Sequence, residues 1–291
     1  MTTQFQNDII KIQSVLRISN SERIKIMLYS SQTEVSVHSF GLYDGIKAMI
    51  NAGFPCIDLT MFSDYSYIFE PDWKETAKKL KKLAKENNVF FNQAHAPFGG
   101  GYEHYTSVLI PQFGRVFEFA GMLGIKNVVV PPLQKGEYYG HENELFEMNM
   151  EFYSSVAADA KNAGVKIAIE NMWQTTRVNH RVIDDVCADP RELIKYYDTL
   201  NDPDAFTICL DIGHVAICGR EPQEAIKMIG HERLGALHVH DVDYISDLHT
   251  LPGLGKINWD EVCLALAKID YRGELTLEAD NFLRNFDDSF E

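Results

Sequence analysis

Short apolar, β-branched runs recur along this chain, and most are followed by a longer amphipathic stretch. A strand that repeatedly feeds a helix builds a parallel sheet covered by helices, so this alternation constrains the fold more than any other feature. The candidate strands are EVSVHSF (34–40), CIDLTMF (56–62), VFFNQAH (89–95), NVVVPPL (127–133), VKIAIEN (165–171), FTICLDI (206–212), LGALHVHD (234–241) and GELTLEAD (273–280). Between them lie helical segments such as YDGIKAMINAG, DWKETAKKLKKLAKENN and WDEVCLALAKI, and several end in Gly or Asn just before the next strand, as a left-handed C-terminal cap requires.

Eight such units close naturally into a (β/α)8 TIM barrel, and a chain of 291 residues suffices for one, since these barrels typically need about 250. An open doubly wound sheet usually carries a phosphate-gripping glycine loop after its first strand, and neither GxGxxG nor GxxxxGK[ST] occurs. With 45% hydrophobic residues the chain has the material for one large core, and no low-complexity tract marks a second domain. The expectation is therefore a single domain over 1–291. An N-terminal helical extension is expected at about residues 1–20, where Ile9, Ile12, Val15 and Leu16 fall at helical spacing. It would cover the barrel wall where only 13 residues after Glu278 leave the eighth helix short; the alternative for these apolar positions is a homo-oligomer contact.

The net charge of −15 repels polyanions, which argues against nucleic acid as a partner. Five cysteines without CxxC or paired spacing suit a reducing cytoplasm, and neither a signal-peptide pattern nor an 18-residue apolar window for a membrane span is present.

Catalytic groups of a parallel barrel sit at the C-terminal ends of its strands. Strand five presents Glu170 after an apolar run, strand six Asp211 with His214 three residues on, strand seven His238, His240, Asp241 and Asp243, and strand eight Glu278. A lone carboxylate at a strand end is usually a helix cap or a salt-bridge partner. Four neighbouring apolar strands ending in Glu170, Asp211, His238 and Glu278 instead call for a shared counter-charge, which one divalent cation supplies. Three carboxylates and one imidazole suit manganese, magnesium or cobalt at least as well as zinc.

The motifs QAHAPFG (93–99), IEN (169–171), LDIGH (210–214), HVHD (238–241), DLHTLPGLGKINW (247–259) and GELTLE (273–278) resemble those of the xylose isomerase-like barrel superfamily, from about Val35 to Glu278. That superfamily contains ketose 3-epimerases, hydroxypyruvate isomerase-like enzymes, inosose dehydratases and endonuclease IV. The resemblance implies one divalent metal at Glu170, Asp211, His238 and Glu278, with His95 and His214 near a small sugar or polyol. It further implies Glu170 and Glu278 as the acid and base of a sugar isomerase or epimerase acting through a metal-stabilised enediolate. Alternatives within the superfamily are an inosose-type dehydratase and an abasic-site phosphodiesterase. The phosphodiesterase branch holds three zinc ions and has a histidine at the end of strand four, where this chain has Pro131.

Asp247 and His249 precede PGLGK, either as substrate or second-metal residues, or as a turn cap and a carbonyl-bonded imidazole. Trp173 offers an apolar face to a sugar ring or to the core.

Overall fold

The computed structural model describes residues 27–61 and 66–284; the expected N-terminal extension lies outside them. Eight parallel strands run in chain order: β1 (Tyr29–Ser31), β2 (Cys56–Thr60), β3 (Phe90–His95), β4 (Asn127–Val130), β5 (Lys166–Glu170), β6 (Phe206–Asp211), β7 (Leu234–His238) and β8 (Leu275–Leu277). Strands β2 to β7 form one hydrogen-bonded sheet, and β1 pairs with β8. The parallel bridges Gln32 to Asp58 and Val239 to Leu277 join the two sets into a closed TIM barrel.

One outer helix follows each of the first seven strands: α1 (Leu42–Ala52), α2 (Trp73–Glu86), α3 (Phe113–Leu123), α4 (Glu142–Ala163), α5 (Pro190–Leu200), α6 (Pro222–Ile229) and α7 (Trp259–Lys268). A short helix at Asp280–Arg284 follows β8. No described helix is long and apolar enough to cross a membrane.

The expected first strand at 34–40 is wrong: Glu34–Phe40 is a helix, and β1 is the preceding YSS. The period-two spacing of EVSVHSF imitates a half-buried strand, yet only Val37 is buried, and Val37 and Gly41 donate to carbonyls one helical turn back. The true strand is short and two-thirds serine, so it carries no apolar signal.

Side-chain alternation along the strands sets the layers of the barrel. Ile167 and Ile169 join the large core beneath the helices, whereas Ala168 packs inside the ring with Val129, Cys209 and Ala236. Two residues further along each strand, on the same inward face, stand Glu170, Asp211 and His238. The small apolar plug thus forms the floor of a polar chamber.

A polar tie also lies within the ring. The Thr276 hydroxyl accepts from Ser30 Oγ at 2.9 Å and from Asn92 Nδ2 at 3.0 Å, linking β8, β1 and β3. All three side chains are buried. Thr276→Val keeps the shape and leaves two donors unpaired, so a loss of about 1–3 kcal/mol in unfolding free energy is expected. Denaturant titration checks this; a neutral substitution would show that the tie contributes nothing to closure.

Candidate active site

Glu170, Asp211, His238 and Glu278 meet at the mouth of the barrel, each nearly or fully buried. One donor atom from each lies within 4.8 Å of the others. His238 Nδ1 is 2.6 Å from Glu170 Oε1, 3.1 Å from Glu278 Oε2 and 4.0 Å from Asp211 Oδ2. A single N–H cannot serve three carboxylates, and it is spent on Glu170. Among the described residues, Asp211 Oδ2 and Glu278 Oε2 are buried without a hydrogen-bond partner.

Asp211 shows how the site is built. It ends β6 and caps the short helix Ile212–Ile217, accepting from His214 N at 2.6 Å through Oδ1. His240 Nε2 approaches the same oxygen at 3.1 Å. Oδ1 is therefore committed, and Oδ2 is turned into the chamber. Asn171 fixes the backbone beneath: its Oδ1 accepts from Asp211 N at 2.8 Å and its Nδ2 donates to Asp211 O at 3.0 Å. Gly213 makes room for His240, since a Cβ there would stand 2.0 Å from the imidazole Cε1.

Buried carboxylates left without partners cost several kcal/mol each unless a positive charge joins them. Two orphaned oxygens, a third carboxylate and one imidazole nitrogen, all turned to one point, fit a divalent cation with hard oxygen preference. Without one, protonated imidazoles take its place. Burial alone would raise the Glu170 carboxyl, but His238 and then His95 hold it well below the usual carboxylate range. Burial likewise opposes Asp211, yet His214 and His240 hold it down at about 2. Cys209 lies among the same groups, and burial pushes its thiol well above its usual range, so it stays protonated.

The supporting residues are equally buried. His95 stacks on His238 with ring centroids 5.6 Å apart, and its Nε2 is 3.6 Å from Glu170 Oε2. Asp58 stands behind His238, 3.8 Å from Nε2, and accepts from Gln93 at 3.2 Å. Burial raises its carboxyl to about 6.

A second cluster adjoins the first. His214, His240, Asp247 and His249 also bring one donor atom each within 4.8 Å of one another. His214 Nδ1 meets the Asn171 carbonyl and His249 Nδ1 the Glu278 carbonyl, both at 2.8 Å, which turns each Nε2 toward Asp247. The plain reading of His249 as a carbonyl-bonded ring is therefore met at Nδ1, but Asp247 faces imidazoles rather than capping a turn. Burial alone would raise Asp247, and the imidazoles of His214 and His249 reverse this, holding it far below the usual range. Against the opposing effect of burial, Asp211 and then Asp247 raise His214 to about 10, and Asp247 and then Asp280 raise His249 to about 12.

Trp173 stands beside this cluster, half-buried, its ring 6.3 Å from that of His214. It opens a two-stranded hairpin, Trp173–Thr175 with Val182–Asp184. That hairpin is pinned by Arg220 to both Asp184 oxygens at 2.7 Å and by Gln134 to the adjacent Asp185 at 2.6 Å.

The nine residues given a site role from the sequence thus gather at one mouth. Asn171, Asp58 and His240 had been given no role there. Asn171 lay within a quoted motif, whereas the position of Asp58 on an apolar strand carries no signal of what it will face.

Eight parallel strands closed into a ring, with carboxylates and imidazoles collected at their C-terminal ends, define a TIM barrel whose candidate centre lies where that fold usually carries its catalytic groups. The sequence profile of the xylose isomerase-like TIM barrel family matches residues 46–289, and the chain belongs to that family. An uncharacterized protein of Methanocaldococcus jannaschii is 29% identical over 196 residues, 64% of each chain. Inosose dehydratase 2 of Bacillus cereus is 33% identical over 105 residues, 31% of this chain and 35% of that one. The chain spans 64% and 49% of the lengths of the first two curated relatives it matches.

Among solved structures, a D-tagatose 3-epimerase-like protein superposes with a TM-score of 0.71 at 22% identity, covering 89% of this chain and 95% of that one. The 3-keto-D-glucoside 4-epimerase YcjR of E. coli superposes at 0.67 with 15% identity, covering 86% and 90%. The IOLI protein with a bound zinc atom superposes at 0.68 with 18% identity, covering 88% and 91%. These likenesses establish the shared fold.

Asn171→Ala would strip the Asp211 backbone of two buried hydrogen bonds. A destabilisation of about 2–4 kcal/mol is expected from two groups left unpaired. Thermal and denaturant unfolding measure it, and a cost below 0.5 kcal/mol would mean that Asp211 is held by other contacts.

Proposed function

We propose that this protein is a divalent-metal-dependent sugar isomerase or epimerase that removes a proton next to a carbonyl. The observation that carries this reading is the pair of buried, unpartnered oxygens, Asp211 Oδ2 and Glu278 Oε2, turned with Glu170 toward His238 Nδ1. Glu170, Asp211, His238 and Glu278 would hold the cation. When bound, a divalent cation supplies Lewis-acid polarisation of a substrate carbonyl and offsets the negative charge that develops as the neighbouring carbon loses its proton.

The chain's own groups then divide the work. Glu170 and Glu278 belong to strands separated around the ring by β6 and β7, yet their carboxylates converge on one imidazole. One carboxylate takes the proton as the C–H bond breaks and its electron pair moves into an enediolate. The other delivers a proton to the opposite face, forming a new C–H bond with inverted configuration. If a single carboxylate takes the proton and returns it to the neighbouring carbon, while a proton passes between the two enediolate oxygens, the product is the aldose–ketose isomer. His95, against Glu170, holds the base in place. His214, Asp247 and His249 face substrate hydroxyls, and Trp173 lays its ring along the sugar.

A dehydratase is the second reading, favoured by the partial similarity to Inosose dehydratase 2. It would use the same base and expel a hydroxyl as water, so the product mass separates the two. The abasic-site reading fits less well. The strand-four position that holds a histidine in that branch is Pro131, whose carbonyl is 3.4 Å from the Tyr105 hydroxyl, and the net charge is −15.

Two outcomes test the proposal. Asp211→Ala purified in parallel with the parent should lose its divalent metal by elemental analysis, and parental stoichiometry in the variant would remove the assigned site.

Glu170→Gln and Glu278→Gln keep the size and one ligand oxygen while removing the basic group. Each is expected to lower kcat by about 10²–10⁴ on a converted ketose. The parent should incorporate solvent deuterium at the reacting carbon; full activity of both variants with normal metal content would exclude the two-carboxylate scheme.

A further inference from the structure

The segment HVHD supplies His238 to the first cluster and His240 between the two, which leaves its fourth residue without a role. Asp241 is fully buried. Among the described residues its partners are N–H groups rather than a cation. Oδ1 accepts from Val242 N at 2.9 Å and Ile257 N at 3.1 Å, and Oδ2 from Gly253 N and Trp259 Nε1, both at 2.8 Å. Four donors saturate the two oxygens and disperse the charge.

These donors come from one loop and the helix it enters. Gly253 and Ile257 lie in the loop after β7, and Trp259 is the first residue of α7. The Asp241 backbone also exchanges hydrogen bonds with Thr250 in both directions. Gly255 lets the loop close over the carboxylate, because a Cβ there would stand 2.3 Å from Asp241 Oδ1. Asp247 and His249, which complete the second cluster, ride on this loop. Its far side is tied to the end of β8: the Glu278 carbonyl meets His249 Nδ1, and Phe282 N donates to the His249 carbonyl. One buried carboxylate thus gathers the loop from the inside, at the point where it crosses from β7 to β8.

We propose that Asp241 is a positioning residue for the site. Its carboxylate is the anchor that sets where Asp247 and His249 stand, and so determines how the substrate is held rather than whether the first cluster forms. The substrate half of this statement rests on the sugar reading above; the anchoring half does not.

The test compares the full-length parent with Asp241→Asn, each loaded with manganese. The amide substitution puts an N–H against two N–H donors while preserving volume. Hydrogen–deuterium exchange of residues 245–257 is expected to quicken by about tenfold or more, with amides of β2 to β7 unchanged, because only the local anchor is released. Metal content should equal the parent's. On a converted ketose, KM should rise by about tenfold while kcat falls less than threefold, the pattern of lost substrate binding.

Unchanged exchange in 245–257, or a uniform rise across the barrel strands, would overturn the anchor. A fall in kcat with KM unaltered would overturn its role in holding substrate. Should the parent turn over no sugar, the sugar reading fails by itself and the exchange comparison still decides the anchor. If Asp241→Asn does not fold, Trp259→Phe removes one donor of the four, and exchange at 251–257 is expected to rise by about threefold; no rise overturns the proposal.

Discussion

Three carboxylates buried around one imidazole nitrogen set the terms for the rest of the molecule. Each uncompensated charge costs several kcal/mol, and a whole domain is stable by only about 5–15 kcal/mol. Such a centre persists only where some of its oxygens are already bonded and the surroundings cannot relax around the remainder. The barrel meets both conditions. Asp211 has one oxygen fixed by the His214 amide and His240, and Glu170 is fixed by His238. The floor of Val129, Ala168, Cys209 and Ala236 is apolar but for the Cys209 thiol and leaves the carboxylates little to swing toward. The positive charge that balances the centre must then come from its own histidines or from a cation entering at the mouth.

Much of this was legible in the sequence because strand alternation carries structure and chemistry together. In KIAIE the isoleucines face the helices, and Ala168 and Glu170 face inward, so an apolar run that ends in a carboxylate already specifies a buried acid above a small residue. The same logic holds for CLD in β6 and ALH in β7. It fails for β1, whose three residues have no apolar period, and for the neighbouring EVSVHSF, whose alternation belongs to a helix. A local pattern informs only where burial on one face is what selects the residues.

Asp211 also shows why single-residue readings divide wrongly between structure and function. A carboxylate at a strand end is ordinarily a helix cap, and Asp211 is one. Capping occupies Oδ1 alone, and it is this occupation that points Oδ2 into the chamber. The structural role is the means of the chemical one. His249 is similar, since bonding the Glu278 carbonyl through Nδ1 is what aims Nε2 at Asp247. The sequence lists candidate donors, but which atom of each is free depends on a contact made by a distant segment.

The two clusters are consequently one electrostatic unit. His240 lies 3.1 Å from Asp211 Oδ1 and 3.7 Å from Asp247 Oδ1, at zero exposure, with its ring stacked 4.1 Å from that of His249. At such separations in a water-poor interior, charges interact several times more strongly than in solvent. Asp211, Asp247 and the imidazoles of His214, His240 and His249 thus share one buried network. The inward period of HVH, which sets His238 and His240 two residues apart, is the covalent link between the two clusters.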